Sequence, residues 1–191
     1  QRQMCIRDRD KDTKKPLAGA VFGLYAGKDI KNQDGQVVVA KDTLIAKATT
    51  DEMGSSAFAA DLPNNNSYYV KELQAPANYF RNSDEVYSFD FQYTNDKEAT
   101  VSFSHTFSNE HVSASIHLVK KDKETGNVTQ GDAKFAGAVY GVYARENIAH
   151  PDGKSGVLYK KDAQVATMTV DDSGNARVEN CLLYTSPSPR D

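Results

Sequence analysis

Leu17-Ala-Gly-Ala-Val-Phe-Gly-Leu-Tyr-Ala26 returns later in the chain as Phe135-Ala-Gly-Ala-Val-Tyr-Gly-Val-Tyr-Ala144. Both copies follow an acidic-basic turn, Asp10-Lys-Asp-Thr13 and Asp122-Lys-Glu-Thr125, and both precede an Asp-Gly pair, Asp34-Gly35 and Asp152-Gly153. Leu17 and Phe135 stand 118 residues apart, and Asp51 and Asp171 stand 120 apart. A period of that length is a whole domain, well beyond the roughly 20–50 residues of a solenoid unit. Duplicated domains point to a modular array, in which copy number sets length and no copy needs chemistry of its own.

Around these stretches the pattern is that of strands. Ser67-Tyr-Tyr-Val-Lys-Glu-Leu73, Val86-Tyr-Ser-Phe-Asp-Phe-Gln-Tyr93 and Ala99-Thr-Val-Ser-Phe-Ser-His-Thr-Phe107 alternate with period two and are rich in β-branched and aromatic residues. Turn clusters separate the strands: Asn32-Gln-Asp-Gly35, Leu62-Pro-Asn-Asn-Asn66, Ala75-Pro-Ala-Asn78, Tyr93-Thr-Asn-Asp96 and Asp171-Asp-Ser-Gly174. No segment sustains an apolar period of 3.6. Short strands at this spacing predict an all-β sandwich. The boundary between copies falls near Glu110 to Ser113, and the second copy's first strand is predicted at Ser115-Ile-His-Leu-Val-Lys120.

The two ends read differently. Met4-Cys-Ile-Arg-Asp-Arg9 back-translates as ATG TGT ATA AGA GAC AG, and the reverse complement encodes Cys-Leu-Leu-Tyr-Thr, which is Cys181 to Thr185. Inverted copies of one DNA element at both ends resemble a transposase sequencing adapter, so residues 1–9 and 181–191 are expected to be foreign in origin. The remaining organisation is a first domain over 10–112, lacking most of its native first strand, and the N-terminal part of a second over 113–180. Both cysteines, Cys5 and Cys181, lie in the excluded ends, so neither a disulfide nor a thiolate metal site follows. Residues 10–180 carry 19 basic and 24 acidic residues, a net charge of −5. Such a chain, without basic clusters, is poorly suited to nucleic acid.

Strand parity brings three polar residues onto apolar faces. Glu72 shares a face with Tyr68 and Val70; Asn109 ends the face of Val101, Phe103 and Phe107; Lys120 follows Ile116 and Leu118. Each is costly to bury singly, and together they suggest a site. Parity alone leaves alternatives open: Lys121 as the inward lysine, Asn109 as a turn residue, Glu72 as a rim carboxylate.

At these residues the chain resembles the SpaA-type (Cna protein B-type) prealbumin-like domains. The resemblance rests on Lys120 and Asp122; on Gly19, Ala20, Phe22, Leu24 and Tyr25; on Tyr68 to Tyr79 with its Glu72 and Ala75-Pro76; and on Asn109. It implies a prealbumin-like (inverse Ig-like) β-sandwich, here a tandem repeat with the second copy truncated. It also implies Gram-positive adhesins and pilins, located extracellularly on the cell wall. Further, it implies an intramolecular isopeptide bond from a first-strand Lys to a last-strand Asn, with Glu as proton shuttle. Burial keeps the amine neutral and the acid protonated, and proximity supplies effective concentration. The event is a single self-crosslinking without turnover, so the chain is not read as an enzyme. Aligning Asp10 with Asp122 puts Asp8 where the first copy's Lys is expected. Glu72 and Asn109 of the first copy therefore lack an amine, Lys120 of the second lacks its Glu and Asn, and neither copy is expected to close its own bond.

Other constellations are weaker. His105, His111, His117 and His150 have no metal-like spacing, His105 reads as a satisfied core or rim residue, and no cofactor is expected. Asp34-Gly35 and Asp152-Gly153 lack the alternating acids of a calcium loop and read as hairpin turns. The first functional reading is a tension-bearing spacer whose partners are neighbouring repeat domains, with wall attachment through regions outside this chain. The second is a module binding a host glycan or matrix ligand, and the third an accessory domain of a secreted enzyme.

Overall fold

The computed structural model describes residues 2–92, 101–127, 129–130 and 133–181. The turn cluster at 93–96, the start of the run at 99–100 and the segment after Cys181 lie outside them. The chain divides into two compact units between His111 and Val112. Among the described residues every regular element is a strand.

In the first unit β1 (Arg2–Asp10), β2 (Val21–Ala26), β3 (Ile30–Lys31), β4 (Val37–Val39), β5 (Leu44–Thr49), β6 (Ser55–Ala57), β7 (Asn66–Gln74), β8 (Val86–Phe91) and β9 (Val101–Asn109) follow in order. One sheet runs β6-β1-β9 and the other β5-β2-β7-β8, with β3 and β4 forming a separate ribbon. The inward residues of both sheets build one core. Met4 and Ile6 of β1 and Phe107 of β9 meet Phe22 and Leu24 of β2, Tyr68 and Val70 of β7, and Phe89 and Phe91 of β8. The Phe22 and Phe107 rings bridge the layers at 4.7 Å between centroids. Each side chain of this size contributes about 1.5–3 kcal/mol on burial.

The decisive pairing is β1 with β9. They run parallel over nine residue pairs, from Arg2 opposite Val101 to Asp10 opposite Asn109. Residues 2–9, within the stretch 1–9 read as foreign in origin, occupy the first-strand position together with Asp10. The reason is alternation: Met4, Ile6, Asp8 and Asp10 point inward and are buried, whereas Cys5, Arg7 and Arg9 are less so.

The second unit holds β10 (Ala114–Val119), β11 (Thr129–Gln130), β12 (Ala133–Lys134), β13 (Val139–Tyr143), β14 (Ile148–Ala149), β15 (Val157–Tyr159), β16 (Gln164–Thr169) and β17 (Asn175–Cys181). It repeats the first unit's registers. Leu118 stands opposite Ala176 as Ile6 stands opposite Ser56. Tyr140 stands opposite Met168 as Phe22 stands opposite Ala48, with an irregularity after Val142 matching one after Leu24. Its core is smaller: Met168, Val170 and Ala176 are buried, with Ile116, Leu118 and Phe135 only partly covered.

Two glycines explain features of the repeat. A Cβ at Gly23 would lie 2.7 Å from the Tyr25 ring, and one at Gly141 2.6 Å from Tyr143, so the Gly-x-Tyr pattern folds the ring over the glycine in both copies. Gly54 has φ +66, and a Cβ there would meet the Asp8 carbonyl oxygen at 2.5 Å and the Leu17 nitrogen at 2.9 Å. Its carbonyl accepts from the Asp8 N–H at 2.8 Å, fixing β1 against β6. Gly54→Ala is expected to cost more than about 1 kcal/mol through both strain and overlap. Urea denaturation should show a lowered midpoint with an unchanged slope.

Candidate functional site

Alternation along β7 and β9 sets the site. Glu72 continues the inward face of Tyr68 and Val70 and is 2% exposed; Asn109 continues that of Phe107 and is fully buried. The Asn109 carboxamide nitrogen donates to both Glu72 oxygens, at 2.8 and 3.0 Å, and to the Phe80 carbonyl at 2.9 Å. The Asn82 backbone N–H donates to Glu72 Oε2 at 2.7 Å. The loop after β7, turned at Asn78 with φ 69, thus returns to cover the pair. Burial raises the Glu72 carboxyl above its ordinary value, although the hydrogen bonds from Asn109 and Asn82 oppose the shift.

Asp8 completes the inner face. It is fully buried, stands opposite Phe107, and so lies one inward step before Asn109 along the paired strands. Neither carboxylate oxygen makes a well-formed hydrogen bond, and the Asn109 carbonyl oxygen is likewise buried without a partner. Burial pushes the Asp8 carboxyl up to about 8, the charge of Glu72 adds to the shift, and the Arg9 backbone N–H offsets it in part. Three orphaned polar atoms on one buried face are expensive.

Asp10, one step on, is well provided for. Its carboxylate accepts from the Asp12 and Thr13 N–H groups at 2.8 and 2.7 Å and from the Tyr79 hydroxyl at 2.6 Å. Burial works to raise its pKa, but these hydrogen bonds outweigh it and hold the group below the ordinary aspartate value. Asp122 builds the same turn, accepting from Glu124 and Thr125 at 3.0 and 2.8 Å. Beyond the strand, Lys11 pairs with Glu110 at 2.9 Å and His111 with Asp12 at 3.0 Å.

Lys120 stands in the second unit where Asp8 stands in the first. Its N–H donates to Gly174 at 2.8 Å, as that of Asp8 donates to Gly54. Two residues later the Asp122 N–H reaches Asn127, as that of Asp10 reaches Lys15. Lys120 is half-buried on the face of Ile116 and Leu118, with its ammonium 4.6 Å from the centroid of Phe135, while Lys121 is exposed. Glu72 and Asn109 are therefore brought together with Asp8, and Lys120 occupies the corresponding place in its own unit.

The remaining histidines and acids have local roles. His105 Nε2 lies 2.9 Å from a Glu85 carboxylate oxygen, which accepts, and the imidazole stacks on Tyr87 at 4.5 Å between centroids. Asp152 organises its turn, accepting from Lys154 and Ser155 N–H groups at 2.8 and 2.7 Å. No group of three or more His, Cys, Asp or Glu among the described residues could hold a metal ion. Sequence reasoning missed Tyr79 and Asn82 as partners of the site. Tyr79 stood within the Ala-Pro-x-x-Tyr motif, whose Tyr had no assigned contact; Asn82 acts through its backbone, which leaves no side-chain pattern.

The sequence model described as SpaA: Prealbumin-like fold domain matches residues 2–106. No curated protein sequence matches the chain. Among solved structures, the chain is similar to the Bacillus anthracis TIE protein, with 24% identity and a TM-score of 0.56 over 94% of this chain and 27% of that one. It also resembles the group B streptococcus pilus 2b backbone protein, at 22% identity and TM-score 0.40 over 57% of this chain and 40% of that one. The full-length major pilin SpaD from Corynebacterium diphtheriae matches at 23% identity and TM-score 0.37, over 57% and 30% respectively. The chain thus spans well under half the length of each.

The carboxyls set a pH dependence with two limbs. Asp8 has a folded value raised to about 8, so its contribution is complete below the ordinary carboxylate range and is lost as pH rises towards that value. Glu72 is raised in the same direction by burial and acts with the same sign. Asp10 has a lowered value, so its contribution is lost as pH falls below that range. Stability should fall from pH 5 to pH 8 by up to about 1.4 kcal/mol per pH unit for Asp8 alone. Asp8→Asn should flatten that slope, as read by urea midpoints at each pH.

Proposed function

Because the chain belongs to the SpaA prealbumin-like fold domain family, we propose that it is a tension-bearing repeat module of a Gram-positive surface adhesin or pilin shaft. In the intact protein each copy is welded by a Lys–Asn isopeptide bond. The observation that carries this reading is the buried Asn109 carboxamide held by Glu72 beside the first-strand position of Asp8. In that position the second unit has Lys120. Residues 1–9 and 181–191 belong, on this reading, to an adapter rather than to the natural protein, and Asp8 is a foreign residue in a lysine's place.

The chemistry follows from the site. A neutral lysine amine at position 8 attacks Asn109 Cγ; the new C–N bond forms and the Cγ–Nδ2 bond breaks. Glu72 sits on Nδ2, the atom that leaves, and carries the proton given up by the amine to the departing ammonia. Fixing amine and amide in one buried place replaces a bimolecular encounter. Tension applied at the ends of β1 and β9 then runs through a covalent link rather than through the hydrogen-bonded ladder.

A ligand-binding module is the second reading. The hollow on the outer face of the four-stranded sheet includes Asp42, Ser67, Tyr69, Lys71 and Asp90. Its polar groups are engaged with one another: Ser67 donates to Asp90 at 2.6 Å, Tyr69 to Asp42 at 3.1 Å, and the Lys71 ammonium lies 4.7 Å from the Tyr25 ring centroid. That self-sufficiency favours the spacer.

Asp8→Lys is the test. Intact mass should show loss of one ammonia, and the link should raise stability by about 4–5 kcal/mol, as expected for closing a loop of roughly 100 residues. Adding Glu72→Ala or Asn109→Ala should keep the ammonia. An Asp8→Lys protein that folds but retains its full mass contradicts the reading.

A further inference from the structure

The first unit's β1 position and the second unit's β10 are interchangeable in register. Ile116, Leu118, Lys120 and Asp122 repeat the inward series Met4, Ile6, Asp8 and Asp10. The backbone bonds of Asp8 to Gly54 and of Lys120 to Gly174 coincide, as do the pairings of Ile6 with Ser56 and of Leu118 with Ala176. The two strands differ in how well each is housed. β1 brings a carboxyl with two orphaned oxygens to a buried face that already holds Glu72 and an orphaned Asn109 carbonyl. β10 brings a cation to a face where Ile116 and Leu118 are only half covered; Met4 and Ile6 in the β1 place are 5% and 0% exposed.

We propose that the β1 place of one molecule accepts β10 of a second molecule, and that an amide bond between Lys120 of the incoming strand and Asn109 seals the exchange. The proposal rests on the isopeptide reading above and names the donor. Charge complementarity selects the occupant: Lys120 replaces Asp8 beside Glu72, and Asp122 brings the carboxylate that Tyr79 holds at Asp10. The apolar series Ile116 and Leu118 gains full burial in the same step. The strand comes from a second molecule because β10 must lie parallel to β9. Only residues 110–115 separate Asn109 from Ile116, and parallel neighbours need a crossover of about a dozen residues.

The bond is balanced without a further reactant. Lys120 Nζ, deprotonated, forms the C–N bond to Asn109 Cγ; the Cγ–Nδ2 bond breaks; Glu72 relays the amine proton to the leaving nitrogen, which departs as ammonia. Each molecule offers one donor strand and one acceptor place, on different units. The contact is heterologous and links molecules head to tail.

The test uses the full chain incubated at high concentration, then denaturing electrophoresis and intact mass. A ladder of covalent multimers is expected, with one ammonia lost per junction and a proteolytic peptide joining the Lys120 and Asn109 segments. Lys120→Arg should abolish the ladder while leaving both units folded. Asp8→Lys should lose one ammonia as a monomer and form no ladder, since it closes its own site. If the unaltered chain stays monomeric at full mass while Asp8→Lys loses its ammonia, the exchange is wrong and the isopeptide reading stands. A monomer that has lost ammonia without a ladder assigns the bond to one molecule and overturns the second-molecule donor. A ladder that survives Lys120→Arg overturns the assigned amine. Asp8→Lys at full mass removes the premise of both.

Discussion

The parallel pairing of the first and last strands is the constraint on which the rest of this structure depends. Sequence neighbours do not form it: β1 and β9 lie about as far apart in the chain as one domain permits, and they meet over nine residue pairs. Because the strands are parallel, their ends lie together, and the inward residue of one falls diagonally beside that of the other. Asp8, Asp10 and Asn109 are neighbours for this reason, and Glu72 reaches them from the opposing sheet. The apolar core of Phe22, Tyr68 and Phe107 shields the group from water, which makes the choice of charge at position 8 consequential.

The two units show what that choice changes. Their turns, registers and glycine-over-tyrosine packing coincide, so backbone geometry is not the variable. Where the second unit has an amine, the first has a carboxyl that cannot be ionised cheaply beside Glu72. The same scaffold holds either, because β1 is fixed by backbone bonds to Gly54 and to β9 and by Met4 and Ile6 in the core. A polar mismatch of this kind is tolerated by tertiary support and localised at the site.

Much of this was legible in the sequence. Period-two alternation located β7 and β9, and placed Glu72 and Asn109 inward. Repeat alignment equated Asp8 with Lys120, which are now seen to make equivalent backbone bonds. What could not be read was the behaviour of residues 2–10. Their inward series Met4, Ile6, Asp8 and Asp10 fits the first-strand position, and that fit depends on partners a hundred residues away. The roles of Tyr79 and Asn82 were hidden for a related reason: a loop's return path is set by the core it closes over. In the second unit parity left Lys120 and Lys121 both open; the structure half-buries Lys120 on the face of Ile116 and Leu118 and leaves Lys121 exposed.

The central claim is that position 8 is a dry, polar place facing a carboxamide clamped by a carboxylate. Carbon-detected NMR titration of the Asp8 side-chain carboxyl addresses it most directly. A midpoint near 8, with the Asn109 side-chain amide protons protected from exchange, is the predicted result. A midpoint near the ordinary aspartate value of about 4, with those protons exchanging freely, would contradict it.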